Sequence, residues 1–186
     1  MNFSALASEG LSYEAYLEKY ATPVQKERWD RVDSAIELTT EQKQLLESFT
    51  REMPVFVVSG AWCGDCADQC PILRHIALAC DKIKLYFFDR DAHLELAETL
   101  SVCGGNRVPA VQFLSEDWFP CGRYGDRTLA RYRDLATKLS GAACPVPTQA
   151  PEQSLLSCVI QEWVDQFERN QLILRTSGRL REKHGD

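Results

Sequence analysis

The stretch from Val55 to Leu73, VFVVSGAWCGDCADQCPIL, constrains this chain more than any other. Val55-Phe56-Val57-Val58 is β-branched or aromatic and uncharged, the composition of a buried strand. Ser59, Gly60 and Ala61 loosen the backbone, and Trp62-Cys63-Gly64-Asp65-Cys66 then opens a helix. Two cysteines separated by two residues, where a strand gives way to a helix, read as a dithiol redox site. The first turn of a helix leaves N–H groups unpaired and concentrates positive dipole, which favours the thiolate of Cys63. Cys66 follows nearly one turn later, within reach of a disulfide to Cys63. A structural thiol pair or half of a zinc site is the alternative for the same spacing.

The remaining pattern is read around that stretch. Residues 1–10 carry little periodicity and are expected to be loose. Tyr13, Tyr16, Leu17 and Tyr20 recur as one helix face. Thr22, Pro23 and Gln25 predict a capped helix start with Val24, Trp29, Val32 and Ile36 buried, and Thr39 with Gln42 repeats the capping signal. Leu45, Leu46, Phe49 and Met53 form the next stripe, with Pro54 ending the helix before the strand. After the dithiol helix, residues 83–88 read as a second buried strand parallel to the first, a βαβ unit. Leu94, Leu96, Ala97 and Leu100 suggest a short helix, broken at Gly104-Gly105. Residues 110–114 predict a third strand, Ser115-Glu116-Asp117 a hairpin turn, and residues 118–124 a fourth, edge strand. Leu129, Tyr132, Leu135, Ala136 and Leu139 suit a helix closing the sheet. Three prolines between Gly141 and Ser154 mark a semi-rigid connector. Beyond it Leu156, Val159, Ile160, Trp163, Val164 and Phe167 form a wide helical stripe that needs a partner surface. The charged tail after Arg179 is expected to fray.

Three features together resemble the thioredoxin family. Trp62 precedes the first cysteine of the pair, Pro71 lies five residues after the second, and Val108-Pro109-Ala110 looks like the family's proline loop. Pro71 cannot donate to the carbonyl of Ala67, so a bend is expected there. The resemblance implies an α/β, thioredoxin-like fold: a central mixed sheet of about four strands flanked by helices, with helical extensions at both ends. It covers roughly residues 53–140, leaving residues 1–52 as an N-terminal helical extension and 141–186 as a connector and C-terminal helix packed on the core. It also implies that Cys63 is the nucleophile and Cys66 the resolving thiol. Trp62, Val108 and a cis Pro109 would contact substrate, and Gly64 and Asp65 would tune the couple.

The departures from that pattern carry chemistry of their own. Asp65 stands where thioredoxins usually carry proline, and a carboxylate near Cys63 disfavours its thiolate. The buried Asp and Lys common in the family are replaced by Val57 and Phe87, which avoids an unpaired charge but removes the usual proton acceptor for Cys66. Asp65 or water would take that role.

A net charge of −6 argues against nucleic acid or an anionic membrane as the main partner. No apolar run reaches transmembrane length, and the N-terminus lacks the features of a signal peptide, which points to the cytoplasm. Structural disulfides are rare there, so Cys80, Cys103, Cys121, Cys144 and Cys158 are expected to be reduced and wholly or partly buried. Cys70 reads as an ordinary small helix residue or as a third thiol. Arg107 reads as a solvated charge or as an attractor of acidic substrates. The function expected by resemblance is a thiol–disulfide oxidoreductase that reduces disulfide-containing proteins. No bound cofactor is implied, and a separate reductase would supply electrons. The alternatives are a module binding zinc or an iron–sulfur cluster through Cys63, Cys66, Cys70 and one further cysteine, and a non-catalytic adaptor.

Overall fold

The computed structural model describes residues 1–140 and 154–186. Four strands, β1 (Met53–Ser59), β2 (Ile83–Asp89), β3 (Ala110–Leu114) and β4 (Pro120–Gly125), form one sheet in the order β2-β1-β3-β4. The β1–β2 pair is parallel, and β1–β3 and β3–β4 are antiparallel. Every residue of β1 is buried, as its uncharged sequence requires of a central strand. The crossover from β1 to β2 is the dithiol helix α5 (Gly64–Leu78), which contains Pro71.

Four helices precede the sheet: α1 (Phe3–Leu6), α2 (Tyr13–Tyr20), α3 (Pro23–Asp33) and α4 (Thr40–Glu47). Thr22 with Gln25 and Thr39 with Gln42 form reciprocal capping boxes at the starts of α3 and α4. Residues 1–10 are not loose. Asn2 caps α1, and Phe3 is buried 5.8 Å from the Phe56 ring. Leu11 exchanges both backbone hydrogen bonds with Phe87, covering the outer edge of β2. A Cβ on Gly10 would lie 2.7 Å from Tyr86, so this close approach requires glycine.

Several helical stripes differ from expectation. Val24 points to solvent, because only Trp29 of α3 is fully covered. Leu129 and Leu139 of α7 (Leu129–Ser140) are likewise exposed, as is Leu94 at the start of α6 (Leu94–Thr99). Pro54 lies inside β1 rather than ending a helix. The N–H of Met53 serves Lys82 of the β2 side, so the strand's alternation turns Pro54 toward β3, whose pairing begins only at Val55. Trp118 adopts φ 70° in the turn, and β4 starts two residues later.

The long α8 (Leu155–Thr176) buries Val159, Ile160, Trp163, Val164 and Phe167 against α5, α7 and β4. Trp163 is fully covered within the single chain, so that face is not free for a partner. The tail is an ordered helix, α9 (Gly178–His184). Leu180 is buried, and Arg179 pairs with Asp117, Lys183 with Glu116 at 2.5 Å and His184 with Glu116 at 2.8 Å. The proline-rich connector, with Cys144, lies outside the described residues.

Candidate active site

The loop after β1 is held from both sides. Cys63 N–H donates to the Gly60 carbonyl at 2.9 Å, and Cys63 caps α5 with extended dihedrals before its own carbonyl accepts from Ala67 at 3.0 Å. Trp29 of α3 donates Nε1–H to the Ala61 carbonyl at 3.0 Å, pinning the turn to the N-terminal helices. Trp62 folds back so closely that a Cβ on Gly60 would meet its ring at 2.7 Å. The indole remains 49% exposed, with the Arg90 guanidinium stacked on it at 4.5 Å.

Cys63 is half-buried, and Cys66 is fully buried behind it. The thiol of Cys63 donates to the Val108 carbonyl at 3.5 Å. The Val108–Pro109 peptide is cis. The Gly60 N–H donates to the sulfur of Cys66 at 3.4 Å, and Ser59 Oγ lies 3.6 Å from the sulfur of buried Cys70. The hydrogen bond shared with Cys66, then burial, push the Cys63 thiol well above its ordinary value. Burial does the same to Cys66, with the Cys70 side chain adding to it. These influences outweigh the helix terminus, which favours the Cys63 thiolate.

Asp65 is tied into an ion-pair network. Its carboxylate accepts from Arg127 Nη2 at 2.5 Å and from Arg131 Nη2 at 2.8 Å, so its charge is compensated. The backbone N–H of Asp65 lowers the Cys63 value. Engaged in this way, Asp65 is no free acceptor for the Cys66 proton. Val57 and Phe87 are register partners and both fully buried. Among the described residues, no cluster of three or more His, Cys, Asp or Glu side chains could hold a metal ion. No described helix is long and apolar enough to cross a membrane.

A family model described as thioredoxin matches residues 10–139. The chain belongs to the thioredoxin family. The match begins well before residue 53, so it takes in α2 to α4 as well as the sheet. A protein of unknown function from Pseudomonas aeruginosa superposes with a TM-score of 0.71 at 18% identity, covering 91% of this chain and 98% of its own. An HIV epitope-scaffold superposes with a TM-score of 0.64 at 15% identity, covering 96% and 100%. At such identities the likeness is one of fold. No curated protein matches the sequence.

Around its dithiol, this thioredoxin-family chain adds residues that the sequence reading did not single out. Gln69 donates to the Asp126 carbonyl at 3.0 Å and accepts from Trp163 Nε1–H at 3.2 Å, tying α5 to the loop after β4 and to α8. Asp126 is buried, and its carboxylate receives the Tyr132 hydroxyl, Arg107 and Arg127. Burial pulls the Asp126 carboxyl up, but the Tyr132 and Arg107 hydrogen bonds outweigh it and leave the group below its ordinary value. Arg127 comes from the loop before α7 and Arg131 from its first turn, both far from Asp65 in sequence. Only the fold brings them together. Gly64, the other expected tuning residue, lies under Arg28, whose Nη2 reaches its carbonyl at 3.4 Å. Cys103 is exposed, against expectation, in a tight turn at φ 52°. Cys80 is buried and Cys121 and Cys158 are half-buried.

Proposed function

We propose that this chain is a thiol–disulfide oxidoreductase that reduces disulfides in protein substrates, with a separate reductase restoring its dithiol. The observation that carries this reading is the placement of Cys63. Its half-buried sulfur faces the Val108 carbonyl beside Pro109, with Cys66 directly behind it.

The chemistry needs nothing beyond two thiols and a substrate disulfide. Cys63 gives its proton to solvent, and its thiolate attacks one substrate sulfur. A bond forms between Cys63 and that sulfur, and the second substrate sulfur leaves as a thiolate and takes a proton. Cys66 then loses its proton and attacks Cys63. The Cys63–Cys66 disulfide forms and the first substrate sulfur leaves as a thiol. The substrate gains two electrons and two protons, and the protein loses the same. By family resemblance, Val108 and Pro109 align the substrate's extended backbone and Trp62 walls the dithiol. The reading places the protein in a reducing compartment such as the cytoplasm, with no bound cofactor.

The test is trapping. Cys66→Ser leaves the first step intact and removes the second, so a mixed disulfide on Cys63 accumulates with a disulfide-bridged peptide, and Cys63→Ser gives none. Equal yields from the two variants would remove the reading. Biological activity retained by the Cys63→Ser, Cys66→Ser double variant would favour the adaptor instead.

A further inference from the structure

The protein is acidic overall, yet the groove beside Cys63 is not. Arg90, Arg107 and Arg127 line it, with Asp65 and Asp126 as its carboxylates. The two signs are not presented equally. The Asp126 side chain is 4% exposed and that of Asp65 16%, each beneath the guanidiniums that bind it. Arg90 is offset at the surface by Asp91, which accepts from it at 2.8 Å.

Arg107 is different. Its side chain is 44% exposed, and it reaches Asp126 Oδ2 at 3.4 Å and the Tyr132 hydroxyl at 3.5 Å through Nη1 alone. Among the described residues its Nε and Nη2 donors have no hydrogen-bond partner. It immediately precedes Val108, whose carbonyl the Cys63 thiol addresses. A guanidinium keeps its charge at every working pH and offers paired donors to a carboxylate.

We propose that Arg107 selects protein disulfides whose reacting cysteine is flanked by aspartate or glutamate. This rests on the oxidoreductase reading and names the substrate class of the same site. A substrate strand lying along Val108 brings its neighbouring side chains past the open donors of Arg107. An acidic one meets the exposed Nε and Nη2 donors that the Asp126 contact through Nη1 leaves open, and a basic one is repelled. Buried Asp126 fixes the direction in which that charge is presented.

The test uses the reduced full chain in single turnover against three disulfide-bridged peptides that differ only in residues flanking the cysteine: Glu, Gln or Lys. A small uncharged disulfide serves as the reference. The expected order of second-order rate constants is Glu, Gln, Lys, with up to about fivefold between Glu and Gln for an exposed ion pair. Raised salt narrows the spread. Each variant is scored by the ratio of its own constants, so a general loss of activity cancels. Arg107→Lys keeps the order, Arg107→Gln abolishes it, and Arg107→Glu reverses it. Equal rates for the three peptides, or an order that survives Arg107→Gln, would overturn the proposal while leaving the oxidoreductase reading in place. No reaction with any disulfide, the uncharged one included, would overturn both. A preference for oxidised glutathione over the Glu peptide that is lost in Arg107→Gln would overturn the assignment to protein substrates.

Discussion

Cys63 sits under opposed influences. A helix terminus and backbone N–H groups favour its thiolate, whereas the hydrogen bond with Cys66 and burial favour the thiol, and the thiol wins. The thiol's own bond to the Val108 carbonyl acts in the same sense, since it is made only by the protonated form. Alkylation of Cys63 by iodoacetamide, followed by mass spectrometry, should therefore be slow at neutral pH. It should keep rising beyond the ordinary thiol range of about 8.5. A plateau reached below pH 8 would contradict this. Linkage gives the matching sign for stability. The folded value lies above the unfolded one, so the contribution is full below the ordinary thiol value and fades as pH rises past it. At this scale the two cysteines, Trp62 and Pro109 were legible because their spacing is local or matches a family pattern. Ser59, Gln69, Asp126, Arg127 and Arg131 were not. Each is an ordinary residue type until the fold delivers it to the dithiol, and no periodicity marks it.

Among the elements, the end of β4 bears most directly on the site. Gly125 has φ 122°, and a Cβ there would stand 2.2 Å from the Pro109 carbonyl oxygen and 3.2 Å from Ala110 Cα. Both obstacles are backbone, so no side chain can swing aside. Gly125→Ala should shift the Pro109 loop away from Cys63 and weaken the β3–β4 pairing at Ala110. Expected together are a lower thermal midpoint and slower disulfide reduction. An unchanged midpoint with unchanged rate would show that the loop has slack. Capping boxes and uncharged strands announced most elements in advance, because those signals lie within a few residues of what they form. α1 and α9 carry no such signal, for a matching reason. Each is too short to display a period, and each is held by distant partners, Phe56 for α1 and Glu116 and Asp117 for α9. Val24 and Leu129 show the converse, apolar residues in helical phase that the packing leaves outside.

On the scale of the whole molecule, the terminal extensions close the site instead of decorating it. α3 grips the dithiol loop through Trp29, and α8 grips Gln69 through Trp163, on the side facing Asp126. α8 also completes the core. Its Phe167 packs edge-on against Phe113 of β3 at 5.1 Å, and Trp163 against Tyr124 of β4 at the same distance. Six large apolar side chains of this helix are buried: Val159, Ile160, Trp163, Val164, Phe167 and Leu174. At about 1.5–3 kcal/mol each, their burial is comparable with the roughly 5–15 kcal/mol by which a domain is normally stable. A chain ending at residue 140 keeps the dithiol, the proline loop and every described strand, and it contains the whole stretch matched by the family model. It should nevertheless fail to fold. The structurally similar Pseudomonas protein, aligned over 91% of this chain, fits a fold that includes more than that stretch. Circular dichroism and denaturant titration of the truncated chain are expected to show no cooperative transition. A sharp transition near that of the full chain would mean that the sheet and its first helices hold the dithiol unaided. Trp163→Phe is the finer probe, since it keeps an aromatic ring at the site while orphaning the buried Gln69 oxygen, at a cost of about 1–3 kcal/mol beyond the loss of ring volume. If α8 positions the site as well as stabilising it, that variant should also reduce disulfides more slowly at temperatures where it remains fully folded.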